Sequence, residues 1–257
     1  MTAVAERLNE TLIHQALRLP ETGVQILDTV DSTNLRLKEA ARAGRVSPPF
    51  LLAAERQTAG RGRLGRRFVS PAGGLYMSLL LPWRPGENPG ALTLLSAVAV
   101  CRAIEEETGL HPRIKWVNDI FVGSRKVCGI LAEAGEGWAV AGIGVNLLSP
   151  PGGFPPEAGA AGALDVPADK NRLAARIAAL ILNGSAQPDP EGVLAAYRER
   201  MFLTGKTVRY TEKGAEKTAL VLGVSDDGGL LVREDGGEKV LRSGEVTVGS
   251  QSVSRME

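Results

Sequence analysis

Cysteine, histidine and aromatic side chains are all scarce in this chain. Two cysteines, Cys101 and Cys128, cannot build a disulfide framework, and neither stands at a metal-ligand spacing. His14 and His111 are the only histidines, which rules out a histidine-rich metal site. Aromatics make up 4% of the residues, too few for a platform that stacks single-stranded bases. Charge bias is missing as well: 30 Lys and Arg against 29 Asp and Glu leave a net +1, which supplies no field for a polyanion. Long apolar runs are also lacking. The uncharged stretches 68–83 and 88–101 are interrupted by Pro, Gly and Ser, whereas a membrane helix needs about 20 mainly apolar residues. Residues 1–20 carry scattered charge and no apolar signal core. The expectation is a cytoplasmic protein that binds neither membrane nor nucleic acid.

What is present is an ordinary globular composition, 44% hydrophobic and 23% charged over 257 residues. That length suits one large domain, or a large one with a small one. Segments 24–30 (VQILDTV) and 50–54 (FLLAA) read as buried strands around a polar helix at 33–43 that Gly44 stops. Segment 75–81 (LYMSLLL) is a further strand ended by Pro82, and 91–107 a helix with Leu92, Leu95, Ala99 and Ala103 on one stripe. Strands follow at 113–117, 126–133 and 138–145, the last two forming an antiparallel hairpin through a Gly-containing loop. Strands and helices alternate without strict order, so a mixed sheet is expected.

A Pro- and Gly-rich loop spans 149–168, after which Asp169 caps a helix striped by Leu173, Ile177, Leu180 and Ile181 and ended at Gly184. Leu194, Tyr197, Arg198 and Met201 suit a shorter helix. Past Gly205 come short strands and tight turns, read as a small closed or nearly closed β-barrel packed as a separate unit. The expected division is an N-terminal extension at 1–23, a main domain at 24–204 and a C-terminal barrel at 205–257.

Segment 55–68, ERQTAGRGRLGRRF, holds five arginines and three glycines just after a strand. Glycines let backbone N–H groups approach an anion, and guanidinium groups neutralise it with directed donors. The spacing matches neither the P-loop nor the dinucleotide fingerprint. By itself the segment is equally a solvated basic loop. IKWVND at 114–119 places Lys115 and Asp119 around an apolar pair, with Asp119 where the strand should end; an isolated pair of this kind is usually a surface ion pair. Lys126 opens the buried strand VCGILAE and could aim its ammonium into a pocket or simply protect an edge. GIGVN at 142–146 empties an apolar strand into Asn146, and DSTN at 31–34 supplies a helix N-cap whose free N–H groups could also meet a polar ligand.

Taken in order, DSTN, ERQTAGRGRLGRRF, SPAGGLYMSLLL, KWVND, KVCGILAE and GIGVN resemble the biotin protein ligase family across residues 28–147. The resemblance implies an α/β (α+β) fold, a mixed-sheet catalytic domain akin to class II aminoacyl-tRNA synthetases followed by an SH3-like barrel. Over 206–257 it is weak, resting on position and on Gly244–Glu245. With only residues 1–23 before the first strand, it implies the type lacking an N-terminal DNA-binding domain. Biotin contacts would fall on Ser32, Thr33, Asn34, Gln57, Arg61, Gly62, Arg63 and Lys126, with Gly129 lining the pocket. ATP contacts would fall on Arg63, Arg66, Arg67, Phe68, Lys115, Asn118, Asp119 and Asn146, with Mg2+ held by Asp119 and a second contact from Asn146. Arg63 and Lys126 would be the catalytic cations. Phe68 replaces an indole common near the adenine, and Val117 a proline often found inside KW-ND.

The implied reaction joins biotin to ATP as biotinyl-5'-AMP and then transfers biotin to a lysine of a biotin carboxyl carrier protein. An exposed strand edge would also allow a homodimer. Three rivals stand beside this reading: a lipoate or octanoate ligase of the same fold, a nucleic-acid-binding protein, and a non-catalytic biotin sensor. GRGR, KWVND and the barrel favour biotin over the first. Near-neutral charge and scarce aromatics disfavour the second, and absence of pyrophosphate exchange would mark the third.

Overall fold

The computed structural model describes residues 7–84 and 87–248; the outer ends of the expected extension (1–6) and barrel (249–257) lie outside them. In chain order the elements are α1 (Glu10–Leu17), β1 (Gly23–Val30), α2 (Thr33–Arg42), β2 (Phe50–Gln57), β3 (Leu75–Pro82) and α3 (Pro89–Thr108). They continue with β4 (Arg113–Lys115), β5 (Asp119–Val122), β6 (Arg125–Gly135), β7 (Trp138–Val145), α4 (Lys170–Ala186) and α5 (Pro190–Arg200). The last five strands are β8 (Thr207–Glu212), β9 (Ala215–Val224), β10 (Leu230–Glu234), β11 (Gly237–Leu241) and β12 (Val246–Val248).

Seven strands form a mixed sheet in the order β1-β2-β3-β7-β6-β5-β4, with β1 and β2 parallel and every other pair antiparallel. Strand β3 shows how its two faces are used. Leu75, Met77, Leu79 and Leu81 join the large core that contains α3 and α4, while Leu80 faces α2 in a small cluster with Leu37, Leu52, Trp138 and Val140. The period of two puts Tyr76 and Ser78 on this α2 face as well. Strand β7 follows the same rule, with Ala141, Ile143 and Val145 in the core and Gly142 and Gly144 on the α2 face. That face carries the site.

The second sheet runs β11-β10-β9-β8-β12, all antiparallel, and its end strands β11 and β12 are not paired with each other among the described residues. It is not a separate packing unit. Val208, Tyr210, Val221, Leu230 and Val246 belong to the same contiguous apolar core as Ile104, Ile114 and Tyr197.

Two expectations about element bounds need correction. The helix capped by Asp169 does not stop at Gly184 but continues to Ala186. Gly184 instead lets α4 approach α3, since a Cβ there would lie 2.7 Å from a Leu95 methyl. The strand expected over 113–117 ends at Lys115, and Asp119 opens β5 rather than closing β4. Residues 1–23 also contain a helix, α1, docked through Ile13 and Leu17. Only those two of its residues are buried, and at eight residues the helix is shorter than the window over which helical periodicity is read. Backbone N–H groups of Leu8 and Asn9 donate to Glu55 (2.7 Å) and Asn171 (2.7 Å), and Glu55 pairs with the buried Lys170 at 2.7 Å. No helix among the described residues is long and apolar enough to cross a membrane.

Candidate active site

A cavity of about 180 Å3 opens beside α2 on the glycine-bearing face of the large sheet. Its first end is a buried polar row. Ser32 caps α2, its Oγ accepting from the Leu35 N–H at 3.4 Å, and the next two residues turn inward. Gln57 Oε1, Thr33 Oγ1, Ser78 Oγ and Asn34 Oδ1 lie in succession at 3.1, 2.8 and 2.6 Å. Both amides are fixed, because Gln57 Nε2 donates to Ser70 Oγ at 2.9 Å and Asn34 Nδ2 to the Leu131 carbonyl at 3.1 Å. Asn34 Nδ2 also donates to Glu133, which pairs with Lys38. The two amide oxygens carry no proton and each hydroxyl carries one, so two protons serve three contacts. The row is one donor short.

The middle of the cavity is floored by glycine. Gly129 on β6 is in register with Gly144 on β7, and a Cβ on Gly129 would lie 2.9 Å from the Phe68 ring. One on Gly144 would press into the same ring. The ring therefore lies against the strands and makes a T-shaped pair with Tyr76 at a centroid distance of 6.4 Å. A Cβ on Gly142 would overlap the Asn34 amide. These glycines serve close approach, and the alternation in GIGVN leaves Ile143 and Val145 free to pack below.

The far end is ionic. Lys126 Nζ pairs with Asp119 Oδ1 at 2.7 Å, both side chains being partly buried. Burial holds the Lys115 amine below the ordinary lysine range, against the raising pull of Asp119 and Glu245. Arg63 Nη1 donates to Asn118 Oδ1 at 3.0 Å, and its Nη2 to the Gly244 carbonyl at 3.3 Å. Arg66 pairs with Glu245. The second sheet thus contributes a wall through the turn before β12. Arg61, Gly62 and Arg67 line the cavity from the glycine loop, and Leu64 stands 72% exposed at its tip with φ 54°.

The cavity brings together Ser32, Thr33, Asn34, Gln57, Arg61, Gly62, Arg63, Arg66, Arg67, Phe68, Lys115, Asn118, Asp119, Lys126 and Gly129. Asn146 stands apart. It is 3% exposed, its Nδ2 donates to the Gly162 carbonyl at 2.9 Å, and its Oδ1 is buried without a partner among the described residues. The sequence reading did not include Ser78, Glu133, Gly142, Gly144 or Glu157 in the site. A usable signal for Ser78 was its hydroxyl inside an otherwise apolar strand. Glu157, on the loop before α4, gave none.

An acceptor-rich pocket, a glycine floor and a cationic end define a site for a neutral polar head at one end and an anion at the other. A model of the biotin/lipoate A/B protein ligase family matches residues 26–147, and one of the biotin protein ligase C-terminal domain matches 204–249. The chain is 32% identical over 251 residues to a biotin–acetyl-CoA-carboxylase ligase of Mycobacterium tuberculosis, covering 92% of this chain and 93% of that one. It is 39% identical over 160 residues to the bifunctional ligase/repressor BirA of Bacillus subtilis, covering 59% of this chain and 49% of the relative, so it matches about half the length of that protein. A solved biotin protein ligase from Aquifex aeolicus in complex with biotin and ATP is similar at 31% identity with a TM-score of 0.75, covering 88% of this chain and 98% of that one. The chain belongs to the biotin protein ligase family.

Proposed function

We propose that this chain is an ATP-dependent, AMP-forming biotin protein ligase that loads a lysine of a biotin carboxyl carrier domain in a carboxylase. The observation that carries the reading is the donor-short row of Gln57, Thr33, Ser78 and Asn34 set across a glycine floor from Arg63, Lys115 and Lys126. A ureido ring offers the N–H donor that the row lacks, and a valeryl tail suits a floor without side chains. Its carboxylate then reaches the cations.

A carboxylic acid of ordinary pKa is ionised at pH 7, so activation needs no base. The carboxylate oxygen attacks the α-phosphorus of ATP, pyrophosphate leaves, and a mixed anhydride forms. The obstacle is the approach of one anion to another, which Arg63 and Lys126 ease by charge and by orientation. Lys126 can turn from Asp119 to the reacting oxygens. The acceptor lysine's amine, after losing a proton, attacks the acyl carbon and displaces AMP. Arg61, Gly62 and Arg63 on the glycine loop close over the intermediate and keep water from the anhydride.

Mg2+ fits the oxygens present. Asp119 would hold it through its carboxylate, whereas the expected second contact from Asn146 falls outside the cavity, its amide turned to the Gly162 carbonyl, and no cluster of three or more His, Cys, Asp or Glu exists among the described residues. That matches a hard cation that arrives with phosphates rather than in a protein cage. It would supply charge neutralisation on the phosphate oxygens.

The finer architecture belongs to the same proposal: a catalytic domain over 24–204 related to class II aminoacyl-tRNA synthetases, and an SH3-like barrel over 205–257. A cytoplasmic location follows from the cytoplasmic supply of ATP and of unloaded carrier domains. Titration calorimetry with biotin, lipoate and octanoate, each with and without ATP, tests the reading. Biotin binding alone, strengthened by ATP, is the expected result; preference for lipoate or octanoate overturns it.

A further inference from the structure

Lys115 ends β4, Asn118 lies on the short connection that follows and Asp119 opens β5, and β4 is a three-residue strand at the edge of the large sheet. So short an edge cannot by itself hold three ligand-facing side chains in place. What fixes it comes from later in the chain. Tyr197, on α5, is fully buried, and its hydroxyl donates to the Val117 carbonyl at 3.0 Å. One turn further, the Phe202 N–H donates to the Ile114 carbonyl at 3.1 Å, and Met201 bridges Ile114 in parallel. The end of α5 therefore closes the open edge of β4.

Asn118 passes this placement onward. Its Nδ2 donates to the Ile130 carbonyl at 2.9 Å, its own carbonyl accepts the Ile130 N–H at 3.0 Å, and its Oδ1 accepts from Arg63. A shift of the Val117 carbonyl would move Asn118 and Asp119 directly, and Arg63 through Asn118. The biotin end depends on it far less, since its row is anchored to α2, β2 and β3 and reaches β6 only through Asn34, at the Leu131 carbonyl and Glu133. Tyr197 also lies in the stretch 148–203 that neither family model covers.

We propose that Tyr197 is a positioning residue for adenylate formation: through the Val117 carbonyl it sets the nucleotide half of the site and leaves the biotin half alone. Burial pushes its phenol well above the ordinary tyrosine range, so it stays a neutral donor at any working pH. This role rests on the ligase reading.

The test uses the full chain with Tyr197→Phe, which removes one hydroxyl and keeps the ring. Tyr210→Phe is the control, because the Tyr210 hydroxyl is buried with no partner among the described residues. Biotin-dependent pyrophosphate exchange is measured as ATP and biotin are varied separately, at a temperature where thermal scans show each variant folded. For Tyr197→Phe we expect kcat/KM for ATP to fall about tenfold, the equivalent of one lost buried hydrogen bond, with KM for biotin within about twofold. Tyr210→Phe should leave both unchanged. A folded Tyr197→Phe protein with unchanged ATP kinetics, or with ATP and biotin terms falling together, overturns the role. Should Tyr197→Phe fail to fold, Trp116→Phe replaces it: the Trp116 indole N–H donates to the Gly228 carbonyl at 3.0 Å and braces the same connection, so the same ATP-selective loss is required. Wild-type protein without biotin-dependent exchange would instead overturn the ligase reading.

Discussion

Thr33 and Asn34 at the polar end of the cavity are 3% and 5% exposed, whereas the Asp119 and Lys126 side chains at the ionic end are 20% and 28% exposed. The polar end is made by a capped helix, the end of β2 and the middle of β3, and each of its amides is held by a second partner. The ionic end is made by a loop, an edge connection and a turn of the second sheet, and its charges are satisfied by one another. A neutral head group needs fixed donors and acceptors that water cannot replace. Phosphates and a carboxylate need cations that can change partner during the reaction, which partial exposure allows. The contrast separates recognition from chemistry within one cavity.

The polar end should break most completely. Gly142→Ala drives a methyl group into the Asn34 amide, so Asn34 must leave Ser78 and the Leu131 carbonyl. Stranding two buried polar groups costs about 1–3 kcal/mol each. Biotin affinity should therefore drop by about a hundredfold, with ATP binding by the folded protein retained. Calorimetry with each ligand measures both; equal losses for biotin and ATP would erase the distinction between the ends.

Lys126→Ala attacks the ionic end and leaves Asp119 without its cation. A charged hydrogen bond of this exposure is worth about 1.5–3 kcal/mol, so pyrophosphate exchange should fall between about tenfold and a hundredfold. The thermal midpoint should move little, because neither partner is in the core. Exchange near the wild-type rate would remove Lys126 from the chemistry.

Arg63→Gly should show a smaller effect of a different kind. It deletes the donors to Asn118 and Gly244 and loosens the loop. Retention of the adenylate should weaken by about tenfold, equivalent to about 1.4 kcal/mol. Escaped adenylate acylates exposed lysines, so incubation with biotin, ATP and serum albumin should label albumin with the variant and not with wild type. Unlabelled albumin, despite adenylate synthesis by the variant, would show that Arg63 does not govern retention.

How far each end can be read from sequence follows the same division. Thr33, Asn34 and Gln57 stand in short segments whose local grammar is visible: a helix N-cap, a strand end, a glycine-rich turn. Ser78 completes their row from a strand that reads as purely apolar, and only the pairing of β3 beside α2 gives it a purpose. The alternating glycines of β7 were legible as a motif but not as a floor, since that requires Phe68 to fold back from a loop. At the ionic end, Arg63, Lys126, Asn118 and Asp119 were legible as residues of the site, but the contacts that brace them were not. Gly244, Glu245, Gly228 and Tyr197 reach the site across more than sixty positions of chain, and contact at that range leaves no periodic trace. The fold shows a parallel limit. Strands with full alternation and helices with a wide stripe were readable, whereas α1, with two buried residues, and β5, with four residues in all, were not.

The smallest effect should come from the second sheet's contribution to the ionic end. Arg66 and Glu245 are 66% and 40% exposed at the side chain, and ion pairs so open to water contribute about 0–1 kcal/mol and are screened by salt. Glu245→Gln keeps the shape and a hydrogen-bonding oxygen while removing the charge. Two consequences oppose each other. Arg66 loses its partner and becomes freer to meet a phosphate, while its side chain is held less firmly in place. Lys115 also loses the Glu245 carboxylate that helps keep it protonated, which moves its deprotonation to lower pH and should trim exchange first on the alkaline side. The net change in KM for ATP should stay below about threefold at low salt and vanish at high salt, with biotin affinity untouched. Kinetics at two salt concentrations and across neutral to alkaline pH measure this. A large, salt-independent loss would mean that Glu245 contributes through a buried contact, and that the ionic end is as rigidly built as the polar one.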